Sequence, residues 1–181
     1  MERLDIYDYR GVPTGRTIDR SQENTLSDGE YFLIVHVCIF DHAGRLLIQQ
    51  RKKPGDSLDG CWDLTVAGHV HSGESSQVAA MREVREEIGL PVDLTGQAPL
   101  MRLRFHHGFD DIYVVIADVP LESLHLQDAE VRAARYACRE DVLQMIHRRQ
   151  FLPYMDSFIE SLYDMRCSNG FIRSDAPADL Q

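Results

Sequence analysis

The chain has 181 residues, and 19 basic against 29 acidic side chains give it a formal net charge of −10. At roughly 150 residues per domain this is one domain with room for a terminal extension. The 44% hydrophobic content excludes wholesale disorder and collagen-like or low-complexity classes. An acidic surface repels polyanions, so neither a nucleic-acid polymer nor an anionic membrane is expected as a partner.

The longest apolar stretch, residues 31–40, contains His36 and is about half the ~20 residues of a membrane span. The opening Met1-Glu2-Arg3-Leu4-Asp5 is charged and no apolar run follows it, so no secretory signal is expected. Cys38, Cys61, Cys138 and Cys167 lie far apart, without a Cys-x-x-Cys pair. They read as reduced thiols of a cytoplasmic protein, and zinc or disulfide scaffolds lose support.

In chain order, residues 5–15 predict a short hairpin with Gly11 and Pro13 at its turn. A polar connector, 21–29, follows. Residues 31–40, rich in β-branched and aromatic side chains, predict a buried strand, and Asp41-His42-Ala43-Gly44 turns it into a second at 46–51. A loop with Pro54, Gly55, Asp56 and Gly60 leads to a strand at 62–66. Residues 75–88 form the strongest helix, with Ser75 as N-cap, Gly89 as stop and Pro91 barring resumption. Strands follow at 100–106, 111–119 and 131–136, then helices at 139–147 and 153–165. The polar tail 168–181 reads as frayed. Strands mixed with few helices indicate the α+β class, a mixed sheet flanked by helices.

On a helical wheel the 75–88 segment places Val78, Met81, Val84 and Ile88 with Ala80 on its anchoring face. Glu83, Glu86 and Glu87 fall on an adjoining arc, since spacings of three and four bring side chains together. Like charges so close repel, and Arg82, one turn from Glu86, offsets only part of this. Hard divalent cations take oxygen ligands, so such a cluster suits Mg²⁺ and would draw an anionic phosphate substrate despite the overall charge. A solvated acidic face is the plainer reading of any three glutamates.

The neighbours of the trio decide between the two. Gly68, Glu74, Arg82-Glu83-Val84, Glu86-Glu87, Gly89 and Leu90 fit G-x5-E-x7-R-E-U-x-E-E-x-G-U, with U aliphatic. The chance of meeting all nine positions in such a chain is on the order of 10⁻⁷. The segment 68–90 resembles a complete Nudix box, and the flanking strands resemble the family's α/β/α sandwich with its mixed central sheet. On that resemblance 31–167 is the Nudix domain, 1–30 an N-terminal hairpin or extension, and 168–181 a flexible tail.

The resemblance implies a metal-dependent hydrolase that cleaves a diphosphate linkage in a small molecule, commonly a nucleoside diphosphate derivative, with Mg²⁺ or Mn²⁺. By position Glu83, Glu86 and Glu87 are its metal ligands, with a backbone carbonyl at Ala67 or Gly68 as a further candidate. Either a box carboxylate or Glu130, on a later loop, orients or deprotonates the attacking water. Arg82 holds the glutamates in register and Glu74 braces the loop before the helix. Outside the box, Arg51, Lys52 and Lys53 are the densest basic cluster and candidates for substrate phosphates, or simply a charged strand end. Arg102 and Arg104 share one face of their strand, read as solvent-facing. Trp62, Phe109 and Tyr113 could stack on a base, yet a lone aromatic in a strand is more often core, and His69 and His71 beside the box are explained by local loop structure as readily as by ligation.

Residues 46–51 and 62–69 also resemble the isopentenyl-diphosphate isomerase-like branch of the superfamily. Its cysteine just before the Gly-His pair is replaced here by Ala67, which disfavours that activity. A binding-only sensor is disfavoured by the intact carboxylates. A homodimer through the N-terminal hairpin and an intramolecular role for that hairpin are both open.

Overall fold

The computed structural model describes residues 2–167; the tail expected at 168–181 lies outside the described residues. The strands are β1 (Arg3–Tyr7), β2 (Pro13–Asp19), β3 (Phe32–Phe40), β4 (Leu46–Arg51), β5 (Trp62–Asp63), β6 (Val66–His69), β7 (Met101–Phe105), β8 (Gly108–Ile116) and β9 (Val131–Ala137). The helices are α1 (Ser76–Ile88), α2 (Arg139–His147) and α3 (Asp156–Met165). The class is α+β, with strands and helices not in regular alternation. The described residues form two compact units, 2–37 with 66–113, and 38–65 with 114–167.

The first unit begins with the β1–β2 hairpin. Its turn is tied by Asp8, whose Oδ1 accepts from the N–H groups of Arg10 (2.9 Å) and Val12 (3.0 Å), while Gly11 takes φ +75°. Leu4 and Ile6 on β1 pack with Leu26 and Phe32 in one buried cluster, so the hairpin supplies core. The first part of β3 pairs antiparallel with β6, in the register Ile34↔His69, Val35↔Gly68, His36↔Ala67 and Val37↔Val66. Helix α1 starts where the Ser75 hydroxyl accepts from the Val78 N–H (3.3 Å), and ends where Gly89 takes φ +70°. It buries Ala79, Ala80, Val84, Glu87 and Ile88.

In the second unit β4 pairs antiparallel with β5 and with β9, running from Leu46↔Ala137 to Gln50↔Ala133 on the latter side. A parallel bridge joins Trp62 to Phe151. Helix α3 buries Ile159, Leu162 and Tyr163; the Tyr163 hydroxyl donates to the Ala137 carbonyl (3.0 Å) and its ring meets Phe40 edge-on.

Helix α3 starts at Asp156 rather than at 153 and the hairpin extends over 3–19 rather than 5–15; three further local features depart from the sequence reading. The connector before β3 holds a 3-10 turn, Arg20–Thr25, capped by Asp19. The strand expected at 62–66 is split into β5 and β6, because Thr65 hydrogen-bonds through its side chain, accepting from the Ile39 N–H (3.0 Å) and donating to the Leu47 carbonyl. Strand β8 starts three residues early: Gly108 closes the β7–β8 hairpin opposite Phe105, and the Phe105 ring occupies the space a side chain at 108 would need.

Leu4 is fully buried. Leu4→Ala should therefore destabilise the protein by about 2–5 kcal/mol, read by denaturant unfolding. A change below about 0.5 kcal/mol, typical of surface substitutions, would show that the hairpin is not part of the core.

Candidate functional site

The segment 68–90 lies within the first unit as β6, a loop and α1. The loop folds on Glu74. Its N–H donates to the His71 carbonyl (2.9 Å), and its Oε2 accepts from the His71 N–H (3.0 Å). Gly73, with φ +84°, makes that turn possible.

Arg82 is the centre of the arrangement. Its Nε donates to Glu74 Oε1 (3.0 Å) and one terminal nitrogen to Glu74 Oε2 (2.9 Å), a bidentate pair. The same nitrogen also donates to the His69 carbonyl (2.9 Å). The other terminal nitrogen reaches Glu83 Oε1 (2.7 Å) and Glu86 Oε2 (3.2 Å). One guanidinium thus meets three carboxylates and a strand-end carbonyl, a larger share of the neutralisation than the sequence alone assigned to it.

The electrostatics follow from this geometry. Burial would lower the Arg82 pKa, but the hydrogen bonds it donates to Glu74 and Glu83 raise it above its ordinary value. Burial likewise pushes the Glu74 carboxyl up, yet the Arg82 guanidinium and the His71 N–H together hold it below the usual range. Arg82 supplies one positive charge against three negative ones, so the cluster stays anionic.

The three glutamates of the trio differ in setting. The Glu86 side chain is half exposed, that of Glu83 is mostly buried, and Glu87 is buried. Glu87 falls between Ala80 and Glu83 around the helix, on the buried arc. Val78, expected on the anchoring face, is 47% exposed. It stands roughly 160° from Ala80 at 100° per residue, and Ala79 is buried in its stead. A Cβ at Gly68 would overlap the Glu83 carboxylate. Only glycine there lets that side chain lie against the strand.

Among the described residues, no three His, Cys, Asp or Glu side chains stand grouped as a metal cage. The chemistry of the donors nevertheless fits a hard divalent cation. They are carboxylate oxygens with residual negative charge, and one is seated on a glycine that leaves it room.

The side chains around the box are engaged as well. The His69 Nε2 lies 2.8 Å from Glu23 Oε2, and its ring stacks on Phe32. The buried His36 Nδ1 lies 2.8 Å from Asp110. Arg102 makes a bidentate pair with the buried Asp111. Phe109 and Tyr113 are core, and the Tyr113 hydroxyl hydrogen-bonds Ser76 (2.7 Å). Burial raises the Tyr113 pKa.

Arg51, Lys52, Lys53 and Glu130 lie in the second unit. There Arg51 reaches Asp63 (3.3 Å) and Asp56 (3.4 Å), Lys52 reaches Asp128 (2.6 Å), and Lys53 stands 4.0 Å from Glu130. The cluster is therefore partnered by carboxylates of its own unit. Trp62 lies under the Arg135 guanidinium.

Two partners of the box escaped the sequence reading. Asp5 on β1 accepts from the Ser72 hydroxyl (2.7 Å) and the Gly73 N–H (2.9 Å), and Glu23 meets His69. Both contacts join positions more than forty residues apart, and no local pattern announces them.

The family model described as NUDIX domain matches residues 30–160. An uncharacterized Nudix hydrolase of Listeria monocytogenes is 39% identical over 166 residues, covering 92% of this chain and 96% of that one. An isopentenyl-diphosphate Δ-isomerase of Serratia proteamaculans is 39% identical over 88 residues, covering 45% of this chain and 49% of that one. The crystal structure of a Deinococcus radiodurans protein, DR0079, superposes with a TM-score of 0.69 at 23% identity, over 88% of this chain and 98% of that one. It shares the fold, a mixed sheet with a few helices.

The lowered Glu74 pKa gives a testable pH dependence. Its ionised form stabilises the fold fully above the unfolded value near 4.5, and that stability is lost as pH falls through the folded value. Glu74→Gln should thus cost about 1–3 kcal/mol at pH 7, with the gap to wild type closing in acid; urea unfolding at pH 7 and pH 3 measures it. A gap that does not depend on pH would exclude the charge as its source.

Proposed function

We propose a hydrolytic function from one premise: the chain belongs to the Nudix hydrolase family. On our reading it cleaves a phosphoanhydride linkage in a small molecule, a nucleoside diphosphate derivative being the first class to test. The observation that carries this is the residual negative charge of Glu83 and Glu86 around Arg82, next to the close approach of Glu83 to Gly68.

Glu83, Glu86 and Glu87 would hold the metal ion, with the Gly68 carbonyl as a further oxygen. Bound Mg²⁺ or Mn²⁺ supplies acidity to a coordinated water and draws charge from the phosphoryl oxygens. The residues of the chain set the geometry. Arg82 keeps the Glu83 and Glu86 carboxylates aimed, and Glu74 keeps Arg82 in its rotamer. Glu86, half exposed, has freedom to take a proton from water; Glu130 is the alternative base. Arg51, Lys52 and Lys53 are proposed to meet substrate phosphates, at the expense of their present carboxylate partners. No described helix is long and apolar enough to cross a membrane, and the four cysteines are free thiols; we read the site of action as cytoplasmic.

The partial likeness to isomerases sustains a second reading. At the position before Gly68-His69, Ala67 has no thiol to pass a proton, and Cys61 lies six residues earlier. Hydrolysis is therefore preferred over double-bond isomerisation.

The experiment is phosphate release from a panel of nucleoside diphosphate derivatives, with and without added phosphatase, in Mg²⁺ and in Mn²⁺. Identifying the products by mass shows which bond breaks. Metal-dependent release that EDTA abolishes is expected. Binding without turnover across the panel, or conversion of isopentenyl diphosphate to its isomer, would overturn the reading. On an active substrate Glu86→Gln should lower kcat on the order of 10²-fold or more with the fold intact. Gly68→Ala should displace the Glu83 carboxylate and lower kcat about tenfold with little change in Tm. Wild-type turnover in either variant would remove that residue from the mechanism.

A further inference from the structure

The match to the family model begins at residue 30, yet the loop that carries Glu74 is held from residues before it. The Ser72 N–H donates to the Arg3 carbonyl (2.7 Å), Leu4 bridges His71, and Asp5 takes the Ser72 hydroxyl on one carboxylate oxygen and the Gly73 N–H on the other. These contacts close on the three residues just before Glu74. A second strut comes from the 3-10 turn after β2. Glu23 engages the His69 ring, and the His69 carbonyl accepts from Arg82.

We propose that Asp5 is a positioning residue for the box: by clamping Ser72 and Gly73 it fixes Glu74, which orients Arg82 and through it Glu83 and Glu86. The proposal rests on the hydrolase reading above and adds to it a residue outside the family motif. The physical case is one of loop entropy. Residues 70–75 connect a strand end to a helix start and include a glycine in the left-handed region, so they are free to sample other turns unless tied down. Arg3 and Leu4 hold the loop through the backbone, and Asp5 adds the side-chain tie. Its carboxylate spans two donors on adjacent residues, a stronger and more directional link than two neutral acceptors would give.

Geometry separates this role from fold support. The core contribution of β1 comes from Leu4 and Ile6, whereas the Asp5 hydrogen bonds are at the surface. Removing the carboxylate should loosen the loop and leave the core in place. Each link onward is direct: Gly73 adjoins Glu74, Glu74 pairs bidentately with Arg82, and Arg82 reaches Glu83 and Glu86.

The test compares wild type, Asp5→Ala and Asp5→Asn by three measurements on the full chain. They are Mn²⁺ affinity from electron paramagnetic resonance titration with the metal alone, amide hydrogen exchange across residues 32–88, and Tm. Asp5→Ala should weaken Mn²⁺ binding about tenfold and deprotect the amides of His71, Gly73 and Glu74, with Tm within about 3 °C of wild type. Asp5→Asn keeps one acceptor oxygen and should fall between the two. Unchanged Mn²⁺ affinity in Asp5→Ala, or deprotection spread evenly through β3 and α1, would overturn the positioning role. A wild type that binds no Mn²⁺ would instead sink the hydrolase reading, and the exchange pattern alone would then decide whether Asp5 clamps the loop.

Discussion

The Arg82 guanidinium is the interaction on which the rest of the site depends. It meets Glu74, Glu83, Glu86 and the His69 carbonyl at once, so it joins the loop, the helix and the end of β6. An ammonium could not do the same, because a bidentate pair needs a planar fork with donors set at fixed angles. Partial burial would penalise a lone cation here. The opposite shift, towards the charged form, shows that the carboxylates outweigh the lost solvation.

That hub has a cost which the fold spreads over several positions. Helix α1 gives one place on its buried arc to Glu87, where a Leu or Ile would stabilise more. Strand β6 carries a glycine at 68, forfeiting side-chain packing so that Glu83 can approach. Crowded carboxylates, a buried acid and a strand glycine each run against stability taken singly. Together they hold oxygen donors in fixed directions, which is what preorganised electrostatic chemistry requires. Places where local rules are broken in concert are where function is to be sought.

Much of this was legible because it is local. Ser75 and Gly89 bound α1 by capping chemistry that depends on neighbouring residues alone, and the spacing of three and four around Arg82 follows from the helical repeat. The helix's phase is the exception: Val78, expected on the anchoring face, stands nearly opposite Ala80 and is exposed. The break between β5 and β6 was hidden because it arises from the Thr65 hydroxyl bonding to β3 and β4, a partnership that no pattern within 62–66 records. The 3-10 turn at Arg20–Thr25 has an Asp19 cap visible in sequence, but its polar composition resembles that of a connector. The links from Asp5 and Glu23 to the box were out of reach for the same reason of distance along the chain.

The contrast between motif and contact bears on what a family boundary means. Sequence similarity to a domain marks where residue choices recur; it does not mark where forces stop. Leu4, Ile6 and Leu26 precede residue 30 and pack with Phe32 beyond it in a single buried cluster. Hydrogen bonds from the box loop likewise end on Arg3 and Asp5. A chain cut at the start of the similarity would keep every carboxylate of the box and lose the groups that immobilise its loop. Because orientation of oxygen donors matters as much as their presence, the segment that carries none of the motif has a direct physical claim on the geometry of the site.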